Sequence, residues 1–196
     1  MSIMKCNLCN SSLIDNDTFL ICPSCGLIVK KSHPFELEEK ERYLAHQYDE
    51  NYKSYMHRLT NFIDFNNKEV LDFGCGQHPI LNELYPKAKF TNYDYYFFPK
   101  EDYKSLSYDI ILLIEVIEHI SNIKATIENL LALLKSDGKI YIHTRLYDEA
   151  TNFKTWWYQR DITHISFFNI KTFEYLASKY NLNLEQINEF IVLKRS

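Results

Sequence analysis

"KEVLDFGCGQHP", residues 68–79, is the stretch that decides the fold. Val70 and Leu71 close an apolar run that reads as a β-strand. Asp72 stands at its tip, and Gly74 and Gly76 form a loop that should lead into a helix. Glycine lets a backbone approach a ligand more closely than any Cβ would permit. Nucleotide and dinucleotide sites use such loops too, so the loop alone leaves the ligand open. "KFTNYD" (89–94) adds a second strand ending in Asp94, 22 residues beyond Asp72. A carboxylate at that distance suits both hydroxyls of a ribose. No phosphate loop of the GKS or GKT type occurs in the chain, which argues against nucleoside triphosphates.

Working outward, the pattern is that of an open α/β sheet. "YDIILLI" (108–114) is an almost unbroken apolar strand, as expected where both faces are covered. Ile123, Ile127, Leu130, Leu131 and Leu134 mark one face of a helix, and "GKIYIHT" (138–144) is the next strand. Phe173, Leu176, Ala177 and Tyr180 mark another helix with Asn169 as its N-cap. "NLEQIN" and "FIVLKRS" read as a terminal pair of strands. Ligands of such sheets sit beyond the carboxyl ends of the strands. Asp72, Asp94, Glu115 and Thr144 all fall at that edge.

Three elements, "VLDFGCG" (70–76), "YDIILLIEVIEHI" (108–120) and "LLKSDGKIYIHT" (133–144), resemble the class I S-adenosylmethionine-dependent methyltransferases and occur in that family's order. The resemblance covers about residues 50–196. It implies a Rossmann-like α/β domain in which Asp72, Phe73, Gly74, Cys75 and Gly76 cradle the methionine end of the cofactor. It also implies that Asp94 holds the ribose, that Tyr95 or a neighbour flanks the adenine, and that Glu115 lies where the methyl group is delivered. Cys75 reads as a small spacer rather than a nucleophile. One departure stands out. Only 14 residues separate Asp94 from Asp109, too few for a strand–helix–strand crossover. The family's third strand should therefore be lost or reduced to a loop, with "YYFFPKEDY" (95–103) covering the adenine side.

"IEVIEHI" (114–120) places Glu115, Glu118 and His119 at i, i+3 and i+4, positions that share one face of a helical turn. The plain reading is a carboxylate at a helix N-terminus beside a packed histidine. The chemical reading is a divalent site for Mg²⁺ or Mn²⁺, completed by His164 from "WWYQRDITHISFF" (156–168), with Asp161 close by. That set resembles the metal site of small-RNA 3′-end 2′-O-methyltransferases, and its E-x-x-E-H part resembles the O-methyltransferases of ubiquinone synthesis. Both resemblances imply a metal that lowers the pKa of a substrate hydroxyl. Without metal, His119 or His164 could serve as general base. Trp156, Trp157 and Tyr158 stack a planar acceptor or form a lid, and two adjacent tryptophans cannot both point inward easily. Arg160 could meet an anionic group.

The first 32 residues are of another kind. Cys6-x2-Cys9 and Cys22-x2-Cys25, twelve residues apart, form the spacing of a zinc ribbon. "TFLIC" (18–22) and "GLIVK" (26–30) read as its strands, and four sulfur ligands make the site closed and structural. Residues 33–50 form a charged helical connector, with Glu36–Lys40 and Glu38–Arg42 as i, i+4 pairs. Arg42, Tyr43 and His46 could close over the cofactor's carboxylate. A second helix should span 51–64 with Tyr55, Leu59 and Phe62 inward, and the main domain fills 51–196.

Apolar residues make up 46% of the chain, enough for one full core plus this head. No apolar stretch approaches the ~20 residues needed to cross a bilayer. The first residues lack a charged-then-apolar leader, so a cytoplasmic location without membrane contact is expected. A net charge of −4 gives no broad basic surface for nucleic acid. Lys30-Lys31, Lys87/Lys89 and Lys194-Arg195 are small patches only. Three functions compete: methylation of a small molecule, of RNA with the ribbon as handle, or cofactor binding without turnover.

Overall fold

Residues 4–45 and 48–196 are described by the computed structural model. The chain begins with three short antiparallel strands, β1 (Ile14–Asn16), β2 (Phe19–Ile21) and β3 (Ile28–Lys30). β1 has no signal in the sequence; its three residues are all exposed and carry no apolar alternation. Helix α1 (Glu36–Leu44) follows, and it buries none of its residues. Of the expected i, i+4 pairs, Glu38–Arg42 is replaced by other contacts. Glu38 accepts the Phe35 N–H at 3.0 Å, and Arg42 reaches across to Asp161 at 3.0 Å. His46 lies outside the described residues. Helix α2 (Glu50–Thr60) is capped by Asp49, which accepts the Tyr52 N–H, and it buries Met56, Leu59 and Thr60.

The main sheet runs β5–β4–β6–β7–β10–β9. Here β4 is Glu69–Phe73, β5 Lys89–Tyr93, β6 Tyr108–Ile114 and β7 Leu134–His143. These four are parallel to one another. β9 (Leu182–Ile187) and β10 (Phe190–Arg195) form a hairpin, and β10 joins β7 antiparallel. β5 is one edge of the sheet and β9 the other. Between β5 and β6 the chain makes a turn closed by a bridge between Asp94 and Phe98 and then a 3-10 turn, Glu101–Ser105, so the third strand is absent as the spacing required. The start of β6 is pinned by Asp109, whose carboxylate accepts the Glu69 N–H and the Lys135 Nζ.

The helix after the glycine loop is shorter than expected. α3 (Leu81–Leu84) is a single turn, confined between Pro79 and Pro86. Proline is tolerated at a helix start and disfavours helix in the residue before it. α4 (Ile123–Leu133) and α5 (Ile170–Tyr180) carry their N-caps on Asn122 and Asn169. β8 (Ser166–Phe167) does not join the main sheet; it pairs with β3 of the N-terminal head. None of the described helices is long and apolar enough to cross a membrane.

Candidate active site

The glycine loop is held to β5. The N–H groups of Gly74 and Cys75 both donate to the Tyr93 carbonyl, at 2.7 and 3.1 Å. Gly74 (φ +83°) and Gly76 (φ +68°) are left-handed, where side chains are disfavoured. A Cβ on Gly74 would lie 2.4 Å from Val116 Cγ2, and one on Gly76 would lie 3.2 Å from the Tyr48 hydroxyl. Asp94 accepts three backbone N–H groups, from Gly76 (3.1 Å), Tyr96 (2.9 Å) and Phe97 (3.1 Å). It therefore fixes the loop and the turn after β5 together. A carboxylate has about four lone-pair sites, so capacity remains for one hydroxyl.

Asp72 is buried and, unlike Phe73, Gly74, Cys75 and Gly76, is not among the residues that line the cavity beside the loop. Burial, and then the charge of Asp94, push its carboxyl up to about 7. Cys75 is buried too, and its thiol is pushed up by burial and then by Asp72 and Asp94, as befits a spacer. The loop opens into a cavity of about 790 Å³, which Tyr95 also lines. Among the described residues, no lysine or arginine lines it, whereas Asp94, Glu115 and Asp161 do. An anionic wall and a close backbone approach suit a cationic ligand such as S-adenosylmethionine. Tyr48 and Tyr52 line the same side, and helical spacing is the only sign of them in the sequence.

The IEVIEHI stretch does not form one helical turn. Glu115 adopts φ +53° directly after β6, while its N–H still donates to the His143 carbonyl at 2.9 Å. This turns the chain sharply into a separate 3-10 turn, Ile117–His119, that precedes α4. Glu115 consequently lines the cavity, and Glu118 is driven inward until no part of it is exposed. The reading of Glu118 as an ordinary helix-start carboxylate gives way to a buried one. Burial, then the Glu115 charge, push Glu118 up to about 8. Burial also pushes Glu115 upward, but its contacts with His143, Glu118 and Tyr158 outweigh that and hold it low. His143 Nδ1 lies 2.8 Å from Glu115 Oε1, an ion-pair distance without hydrogen-bond alignment.

Tyr158 ties these groups together. Its hydroxyl meets Glu118 Oε1 at 2.7 Å, Thr144 Oγ1 at 3.1 Å and Glu115 Oε2 at 3.2 Å. In the sequence it stands only as part of an aromatic cluster. Trp156 packs inward with Phe153, Tyr158 and Phe167, while Trp157 is 64% exposed at the cavity rim. Arg160 donates to the Thr155 carbonyl.

The two histidines share a geometry. His119 Nδ1 is 2.9 Å from the Thr163 carbonyl, and His164 Nδ1 is 2.8 Å from the Tyr158 carbonyl. A carbonyl only accepts, so each Nδ1 carries the proton and each Nε2 presents a lone pair. Burial lowers His119 to about 4 and also lowers His164, so both rings are neutral near pH 7. Ligand atoms of Glu118, His119 and His164 all lie within 4.8 Å of one another, and Glu118 Oε2 is buried without a hydrogen-bond partner. Of the four ligands expected, Glu115 is not in this group.

In the head, Cys6, Cys9, Cys22 and Cys25 also lie within 4.8 Å of one another. Cys6–Cys25 sulfurs are 3.7 Å apart, and Cys9–Cys22 sulfurs 3.3 Å. The edge of a tetrahedron with Zn–S bonds of 2.3 Å is about 3.8 Å. The cluster therefore fits a four-coordinate ion.

Comparison with known proteins agrees with this geometry. A family described as a methyltransferase domain matches residues 44–187. No curated protein matches the sequence. Similar solved structures include CalO1, a methyltransferase in calicheamicin biosynthesis, with its S-adenosylhomocysteine bound (TM-score 0.53, 10% identity, 74% of this chain and 54% of that one). The pyocyanin biosynthetic protein PhzM gives a TM-score of 0.52 at 17% identity, over 71% of this chain and 54% of that one. YcgJ of Bacillus subtilis gives 0.50 at 15%, over 71% of each chain. The chain spans about half the length of the first two. It belongs to the methyltransferase-domain family, with the Rossmann-like fold of the class I S-adenosylmethionine-dependent methyltransferases.

Proposed function

We propose that this protein methylates a hydroxyl of a small acceptor, and that the hydroxyl loses its proton at the Glu118–His119–His164 group. The observation that carries this reading is the gathering of ligand atoms of Glu118, His119 and His164 within 4.8 Å of one another, with His119 and His164 lining the cavity of the glycine loop. Metal-binding histidines characteristically donate their other N–H to a carbonyl, as both do here. Two imidazoles and a carboxylate suit Mn²⁺ better than Mg²⁺, which prefers oxygen ligands and keeps its waters. Such an ion, when bound, supplies Lewis acidity that lowers the pKa of a coordinated hydroxyl. The cofactor, when bound, supplies a methyl group on a sulfonium.

The chain's own residues do the rest. Gly74, Gly76 and Asp94 fix the donor end, and Trp157 and Glu115 border the acceptor's place. With an ion held there, both Nε2 lone pairs would be engaged and the hydroxyl proton would pass to solvent; with none held, a neutral imidazole Nε2 would take it. The acceptor oxygen forms its bond to the methyl carbon. The carbon–sulfur bond breaks, and its electron pair returns to sulfur. The main rate gain comes from holding the two partners in line.

RNA is the weaker acceptor. Of the small basic patches, Lys31 is paired with Asp15, Lys89 with Glu69 and Lys194 with Glu185. Lys30 is half-buried against the Asp161 carbonyl. The test is transfer of labelled methyl from the cofactor into fractionated extract of a strain lacking the gene, with Mn²⁺, with Mg²⁺ and with chelator. Label in a small-molecule fraction that disappears with chelator is the expected result. Label in RNA, or small-molecule label indifferent to chelator and to His164→Ala, overturns the acceptor or the hydroxyl-activating group respectively.

A further inference from the structure

We infer that the cysteine head is a positioning device for the acceptor side of the site: β3 supplies the strand partner that holds the His164 segment in place. The inference rests on the proposed role of the Glu118–His119–His164 group for its functional consequence, but the mechanical link is independent of it. β8 pairs antiparallel with β3, with Ile28 opposite Phe167 and Val29 opposite Ser166. The Lys30 N–H donates to the Ile165 carbonyl at 2.9 Å, and the Ile165 N–H donates to the Glu118 carbonyl at 2.9 Å. Ile165 is thus clamped between the head and the 3-10 turn that carries Glu118 and His119. Lys30 Nζ adds a hydrogen bond to the Asp161 carbonyl at 2.6 Å. His164 lies inside this bracket.

The head is fitted to the main domain rather than tethered to it. Gly26 has φ +77°, and a Cβ there would lie 2.5 Å from Oδ1 of Asn169, the N-cap of α5. The Tyr147 hydroxyl donates to the Gly26 carbonyl. Cys6, Cys22, Cys25 and Leu27 belong to the same apolar cluster as Ile117 and Phe168. Yet the head itself has strands of only three residues each. Strands that short do not hold their own register, and metal binding in such a unit is largely folding energy. The ion at the four cysteines therefore sets the position of β3, and β3 sets that of residues 161–166. Gly74, Gly76 and Asp94 depend on β4 and β5, which are not paired with the head.

The experiment uses the full chain and two variants. Lys30→Pro deletes the N–H to Ile165 and keeps all four cysteines; Cys22→Ala removes a ligand. Zinc content, cofactor affinity by calorimetry, Mn²⁺ affinity and amide hydrogen exchange are measured on each. Lys30→Pro should retain zinc and bind the cofactor within about twofold of wild type. Exchange across 161–166 should rise at least tenfold, and Mn²⁺ affinity should fall about tenfold. Cys22→Ala should lose zinc and show the same change in exchange. Unchanged protection of 161–166 in either variant overturns the inference. A wild-type chain that binds no Mn²⁺ refutes the metal reading instead, and exchange still decides the mechanical link. If Cys22→Ala fails to fold, Lys30→Pro decides alone.

Discussion

Gly74→Ala is the sharpest probe of how the glycine loop meets the IEVIEHI turn. The new Cβ would lie 2.4 and 2.8 Å from the two γ-methyls of Val116, at a backbone φ of +83°. Left-handed backbone costs an L-residue roughly 1–2 kcal/mol, and overpacking a tight site adds roughly 1–3 kcal/mol. The single variant should therefore lose about 2–5 kcal/mol of stability. Val116→Ala removes both offending methyls and, as a half-buried truncation, should cost about 1–2 kcal/mol by itself. In the double variant the two methyl overlaps are gone, and what remains is the 3.2 Å approach of the Val116 Cβ and the backbone cost of the introduced alanine. The cycle should show a favourable coupling of about 1–3 kcal/mol, read from urea unfolding monitored by tryptophan fluorescence. Cofactor affinity should not recover with stability, because the added methyl group still narrows the loop's approach. Additivity of the two single effects within about 0.5 kcal/mol would refute the contact, and with it the packing of the loop against the exit of β6.

The remaining predictions concern the charges behind and beside the cavity. Asp72, raised to about 7 by burial and then by Asp94, binds its proton more tightly in the folded chain than in the unfolded one. That contribution, on the order of 4 kcal/mol, is fully present below about pH 4 and is lost as pH rises through about 7, adding that much to the pH dependence of wild-type stability. Asp72→Asn in cofactor-free protein should remove that contribution; an unchanged slope in urea midpoints from pH 5 to 8 would show that Asp72 ionises freely. Tyr158→Phe leaves Glu118 Oε1 without its 2.7 Å donor. It should cost about 1–3 kcal/mol and lower Mn²⁺ affinity by about 10–100-fold, with cofactor affinity unchanged; equal loss of both affinities would point to general disorder instead. Glu115→Gly and Glu115→Ala remove the same carboxylate at φ +53°, so the glycine variant should be the more stable by about 1 kcal/mol; equal unfolding midpoints would contradict the left-handed turn.

Local physics explains which features could be read directly. The glycine loop, the apolar β6 strand, the Asn169 cap and the missing third strand each follow from residues near one another in the chain. Asp94 at the end of β5 is of this kind, although its three backbone hydrogen bonds are not visible in a spacing. Of the four side chains singled out as possible ligands, the structure gathers Glu118, His119 and His164 and leaves Glu115 out. His119 and His164 stand out because two imidazoles and nearby carboxylates are chemically conspicuous. What periodicity cannot show is that Glu115 departs from the helical φ range, because the cost of a left-handed glutamate is met by its β7 hydrogen bond and its contacts with His143 and Tyr158. With i, i+3, i+4 no longer one face, Glu115 lines the cavity while Glu118 is fully buried, the two still joined through the Tyr158 hydroxyl.

The pairing of β3 with β8 is equally out of reach, since two residues of strand carry no alternation and their partner lies at the far end of the chain. That pairing changes what the cysteine motif means. Read alone, four cysteines at ribbon spacing describe a detachable module whose function must lie on its outer surface. In the fold, one edge of the ribbon is already occupied, by the strand that follows His164. A module with a strand committed to the site it adjoins has less free backbone with which to grip a second macromolecule. The same hydrogen bonds that dock the head limit its use as a handle, and they link the strand after its four cysteines to the segment that carries His164.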